Sequence, residues 1–136
     1  MATQRLQVPV ATLDRLRRVC LDLPEVVEEA AWTGTRWCIR KKNFAHVLML
    51  DAGWPPAYAR VAGTDGPACL LTFRSALPAL DLYAFSQPPF FRPGWWPDIA
   101  GMQLDNSTDW AEVADLVTAS YCLLAPRTLA AQVDRP

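Results

Sequence analysis

TRWCIRKKNFAHVLML, residues 35–50, is the stretch from which the fold of this chain is read. From Thr35 to Arg40 the side chains alternate. Trp37 and Ile39 fall to one side, and Arg36, Cys38 and Arg40 to the other, the period of two that marks a strand with one face in a core. Lys41-Lys42-Asn43 reads as a polar hairpin turn. Phe44 to Leu50 is apolar on both faces, as suits an interior strand. Two strands joined by so short a turn pair antiparallel.

Working outward, Asp51 to Pro56 reads as a loop and Tyr58 to Ala62 as a short strand. Thr64-Asp65-Gly66 is a turn on the strength of its Asp-Gly pair. Ala68 to Arg74 is a further strand and Ile99 to Asp105 the last. Three helices flank them. The first covers residues 12–23, with Leu13, Leu16, Cys20 and Leu23 at helical spacing, Thr12 as N-cap and Pro24 ending it. Glu25 to Thr33 is then a connection. The second helix covers Ser75 to Phe85. The third is capped within Asn106 to Asp109 and carries the stripe Trp110, Val113, Val117, Tyr121 and Leu124. Pro126 starts a short terminal turn of helix. Residues 87–97, QPPFFRPGWWP, form a loop packed by its own rings. This order predicts an α+β two-layer sandwich, a mostly antiparallel sheet with helices packed on one face.

The chain has 136 residues, the size of one domain, and 51% of them are hydrophobic against 20% charged, a globular composition. No internal repeat or linker divides it. The net charge of −1 argues against a dedicated nucleic-acid binder, which needs a basic excess to meet phosphates. Cys20, Cys38, Cys69 and Cys122 form no C-x-x-C pair and sit among apolar neighbours, so they read as reduced, buried small hydrophobes. Met1 to Leu13 lacks the apolar core of a signal peptide, and no apolar run approaches the roughly 18 residues of a membrane span. The expectation is a cytoplasmic protein with no membrane association.

Several pieces stand in a recognisable order: Leu23-Pro24 followed by Glu28, Trp32-x-Gly34, and a basic hairpin ending in Asn43-Phe44-Ala45. Phe73-Arg74 in front of a helix, Phe91-x-Pro93-Gly94-Trp95, and Ser120-Tyr121 with Pro126-Arg127 complete the set. Together they resemble the MmcQ/YjbR family over residues 12–131 within a single domain, 1–136. The resemblance implies a compact sandwich of the frataxin-like, CyaY-like kind, and it carries the DNA-binding label often given to that family. The chain departs from the family pattern at Arg74, where a lysine is usual, and at Lys41-Lys42-Asn43, where a Gly-Lys pair is usual. It departs again at Gly101-Met102, where a tryptophan is usual.

The chemistry of catalysis is sparse. His46 is the single histidine, and no Asp, Glu or Cys stands at ligand spacing from it, so the expectation is no metal, no cofactor and no catalytic residue. A hydrolase built on His46 with Ser75 and Asp51 lacks any nucleophile-elbow motif. No glycine pattern fits a phosphate loop. The acidic residues around the first helix are interleaved with Arg15, Arg17 and Arg18, which makes them a mixed-charge surface rather than a cation site.

Charge is unevenly distributed. Residues 36–74 hold six basic and two acidic side chains, a net of +4, while residues 75–136 carry a net of −4. The leading expectation is therefore a non-enzymatic binding domain whose sheet face and hairpin meet an anionic partner, nucleic acid included. Arg36, Arg40, Lys41, Lys42, Arg60 and Arg74 are its contacts. The alternative is an adaptor for a small molecule or partner protein, with a pocket between the sheet and residues 87–97 involving Phe91, Trp95 and Trp96.

Overall fold

Trp37 and Ile39 are fully buried, as their alternation predicts. The strand carrying them belongs to a six-stranded sheet in a computed structural model that describes residues 6–75, 87–95 and 98–133. The elements in chain order are α1 (Val10–Cys20), β1 (Val27–Ala30), β2 (Thr35–Ile39), β3 (Lys42–Leu50), α2 (Pro56–Ala62), β4 (Ala68–Arg74), β5 (Phe90–Phe91), β6 (Ile99–Leu104), α3 (Trp110–Leu124) and α4 (Arg127–Ala130). Strand order is β1-β2-β3-β4-β6-β5, with every pairing antiparallel. The class is α+β, an open sheet with helices packed against it.

Strand parity divides the sheet into two faces. Ala45, Val47, Leu71, Phe73, Ala100 and Met102 enter a core with Leu16 and Cys20 of α1, Val113, Val117 and Tyr121 of α3, and Leu129 of α4. Leu48, Leu50, Ala68 and Leu70 point the other way, where Tyr58 of α2 and Phe91 of β5 cover them. The helix layer expected on one face thus consists of α1, α3 and α4, and a short helix lies on the other face.

A bulge sets the boundary between the two faces in β3. Trp37 faces Ala45, and the next residue, Cys38, faces Asn43, so Phe44 has no partner across the ladder. The extra residue turns both Phe44 and Ala45 toward the helices. The Phe44 ring meets Tyr121 edge to face at 5.5 Å.

Several boundaries differ from expectation. Helix α1 begins at Val10 with Pro9 at the N-cap, and Thr12 lies inside its first turn, because the fixed φ of proline suits a helix entrance. The Glu25 to Thr33 connection contains β1, whose four residues pair along β2. Its exposed, acidic composition masks a strand that is held by backbone pairing with little burial. Tyr58 to Ala62 is helical: Pro56 occupies the first turn and Gly63 closes the helix in a left-handed conformation. The hairpin turn is Arg40-Lys41, both at positive φ (50° and 68°), so Lys42 and Asn43 already belong to β3. Phe90 and Phe91 pair with β6 inside the segment read as loop. The helix expected over Ser75 to Phe85 falls almost wholly on residues 76–86, outside the described residues.

Strand β4 and helix α4 lie where the spacing puts them. Asp109 caps α3 by accepting from the backbone N–H groups of Ala111 and Glu112.

Candidate functional site: an aromatic cleft over the open sheet face

One row of residues crosses all six strands on the face opposite α1 and α3. Glu29 stands beside Arg36, Arg36 beside His46, His46 beside Thr72, Thr72 beside Gly101, and Gly101 beside Phe91. Gly101 supplies a gap in this row, and the Phe91 ring lies where a Cβ would stand. The middle of the row, His46 and Thr72, floors a cleft of about 200 Å³.

The walls are aromatic. Trp32 comes from the turn between β1 and β2, Tyr58 from α2, and Trp95 from the segment after β5. The turn is pressed onto β3 because Gly34, at φ +76°, approaches the Val47 carbonyl more closely than any side chain permits. That approach brings the Thr33 carbonyl within 2.7 Å of His46 Nε2 and holds Trp32 above the sheet. Trp32 packs against Trp54 and Tyr58 with centroids at 5.8 and 6.4 Å. Tyr58 in turn meets Trp95 edge to face at 5.2 Å and His46 at 6.4 Å. Trp32 remains 66% exposed and Trp95 42% exposed, so both present ring surface to solvent at the cleft mouth.

His46 is 5% exposed. A carbonyl can only accept, so the contact with Thr33 assigns the imidazole proton to Nε2 and leaves Nδ1 as an acceptor. Burial holds the pKa of His46 below its ordinary value of 6.5, with Arg36 adding a lesser push in the same direction against the Thr33 hydrogen bond. Burial also raises the Tyr58 phenol. Both groups are neutral at pH 7. Among the described residues none bonds to His46 Nδ1, the Thr72 hydroxyl or the Asn43 amide, and none of these atoms is sealed from solvent without a partner. The cleft therefore offers an acceptor, a hydroxyl and an amide, and most of its exposed surface is polar. The charged residue on its wall is Arg74, which donates to Asp98 at 2.8 Å.

The cations singled out in the sequence are dispersed. Arg36 is bound to Glu29 at 2.7 Å, Arg40 to Glu25 at 3.0 Å and Arg74 to Asp98 at 2.8 Å. Lys41 and Lys42 stand exposed at the hairpin, and Arg60 is exposed on α2. Those three make no ion pair with a described residue. Arg36 lies on the same face as His46, and its charge is met there by the neighbouring strand. Of the aromatic residues named for a pocket, Trp95 lines the cleft. Phe91 is buried beneath the segment, against Gly101 and the second core. Trp96 is outside the described residues.

Ser75, His46 and Asp51 are not assembled. Asp51 lies beyond the far end of β3, five positions from His46, a span of about 16 Å along a strand. Among the described residues no three His, Cys, Asp or Glu side chains cluster as a metal site. Burial pushes the Cys20 and Cys69 thiols up, Cys69 to about 12, so they are inert at neutral pH.

Trp32 and Tyr58 line the cleft but are not among the candidate residues that the sequence suggests. The Trp32-x-Gly34 spacing carried the signal for the first, since a glycine two residues on marks a turn held tightly to the sheet. For Tyr58 the signal was hidden by its assignment to a strand.

The motif residues at the core meet one another. The Tyr121 hydroxyl donates to the Pro24 carbonyl at 2.7 Å. Ser120 Oγ donates to the Phe44 carbonyl and accepts from the Arg74 backbone N–H. Glu28 accepts from the Trp37 indole and from Arg17, contacts that hold its carboxyl below the ordinary range, Arg17 foremost. No family model matches the chain, and no curated protein matches it. Among the described residues no helix is long and apolar enough to cross a membrane.

Proposed function

We propose that the protein is a non-catalytic binding domain whose ligand is a small molecule seated in the aromatic cleft. The observation that carries this reading is the convergence of Trp32, Tyr58 and Trp95 over a neutral, buried His46. Aromatic side chains around a floor that carries several polar groups are a common form of ligand site. The volume lies below the ~300 Å³ at which drug-sized sites begin, so the ligand is small. Arg74 is the charged group on the wall and already has Asp98, which favours a neutral occupant.

The test is a titration of the full chain with a panel of single-ring aromatic compounds, followed by the indole N–H resonances of the tryptophans. Binders should move Trp32 and Trp95, should bind equally well at low and high salt, and should lose affinity on Trp95→Ala. A panel that moves neither resonance sinks the reading.

Nucleic-acid binding, and with it membership of the MmcQ/YjbR family, is the second reading. It is supported by Lys41 and Lys42, exposed side by side at the hairpin without an ion-pair partner among the described residues. Of the six cations proposed as phosphate contacts, Arg36, Arg40 and Arg74 have carboxylate partners that a phosphate must displace.

A further inference from the structure

We infer that the cleft selects a neutral six-membered N-heterocycle bearing an N–H beside a carbonyl, a ring amide, with the N–H donated to His46 Nδ1 and the carbonyl received by Thr72 or Asn43. This rests on the cleft being a ligand site and names what it takes.

Size comes first. An apolar cavity of ~150 Å³ holds benzene, so a cleft of about 200 Å³ accommodates one ring and its substituents. Shape follows from the walls, since Trp32 and Trp95 expose ring surface on which a planar molecule stacks. Polarity is set by the floor. Nε2 of His46 is committed as donor to Thr33, so Nδ1 can only accept. Thr72 is its cross-strand partner and Asn43 lies three residues back on the same strand; both can donate. An acceptor flanked by donors is the complement of an N–H next to a C=O.

Charge excludes the neighbouring classes. The groups facing His46 are Arg36 across β2, the Thr33 carbonyl, Thr72 from β4, Tyr58 from α2, and Arg74 further along the cleft wall. Among the described residues no carboxylate lines the cleft to serve as counter-ion for an organic cation, and the two arginines already hold Glu29 and Asp98. Rejection of a ring lacking the N–H follows because the ring would cut Nδ1 off from solvent and leave it unpaired.

The experiment compares 2-pyridone, N-methyl-2-pyridone and toluene on the full chain at pH 7.5. It follows the tryptophan indole resonances and the imidazole nitrogens of the single histidine. 2-Pyridone should bind and shift His46 Nδ1. N-methylation should weaken binding roughly tenfold, as for a lost hydrogen bond to a buried partner. Thr72→Val combined with Asn43→Ala should weaken 2-pyridone and leave toluene unchanged. Equal binding of all three with Nδ1 unmoved overturns the ring-amide assignment while the cleft stands as an aromatic site. If none of the three moves Trp32 or Trp95, the cleft reading itself fails.

Discussion

His46 shows how a single side chain can be poised by its surroundings. Its ring is enclosed by Tyr58 and the turn at Thr33, and burial is the main reason it stays neutral. A histidine whose folded pKa is depressed gives stability that is complete above the unfolded value. That stability is lost as pH falls toward the folded value, because the unfolded chain takes up its proton first. The protein should therefore lose stability as pH falls from 6.5 to the lowered pKa of His46. His46→Gln should flatten the profile in that window. Urea midpoints measured across it check the sign, and a wild-type profile as flat as that of the variant contradicts it. The same residue was legible in the sequence as the one titratable group in a strand. Its partner, a backbone carbonyl 13 positions away, was not, since no side-chain pattern encodes a carbonyl contact.

At the scale of elements, α3 is tied to the sheet by more than its apolar stripe. Ser120 is fully buried and places its hydroxyl where the β3–β4 ladder ends, serving the Phe44 carbonyl at 2.6 Å and the Arg74 N–H at 2.8 Å. Its replacement by alanine leaves two buried backbone groups unpaired. Ser120→Ala should cost about 2 kcal/mol, since each orphaned group costs roughly 1–3 kcal/mol before relaxation. Denaturant unfolding that shows a loss within experimental error of zero excludes this role. Strands β2, β3, β4 and β6 and helices α1 and α3 followed from spacing, because each buries a regular stripe. Helix α2 and strand β1 did not. Seven residues around Tyr58 are too few for periodicity to separate helix from strand, and only Pro56 at the entrance and Gly63 at the exit distinguished them. Strand β1 exposes Val27, Glu29 and Ala30, so its identity comes from pairing with β2.

At the scale of the whole molecule, charge separation along the chain is partly cancelled in space. The positive excess of residues 36–74 meets Glu25, Glu29 and Asp98 from outside that segment. If nucleic acid binds at all, Lys41 and Lys42 are its main contacts. The slope of log affinity against log salt for duplex DNA should then be about −2, rather than the roughly −3 to −4 expected if Arg36 and Arg40 also met phosphates. A gel-shift titration distinguishes them, and a slope near −4 would mean that the arginines abandon their carboxylates. Exposed ion pairs of this kind contribute little to stability but do occupy the guanidinium groups.

The class of fold, the antiparallel hairpins and the apolar faces of α1 and α3 were legible in the sequence, because period and turn chemistry are local properties. It also marked the aromatic segment and the basic strands as the places to look. What those side chains meet in space is a property of the tertiary structure. Whether an arginine is a free contact or half of an ion pair depends on which acid the fold brings beside it, as Glu29 is brought to Arg36 by the β1–β2 register. Whether Trp95 is a lid or a wall depends on what lies beneath it, here Tyr58 on a helix 37 positions earlier in the chain. Contacts of that range have no signature in spacing, since they arise from how the sheet faces are covered.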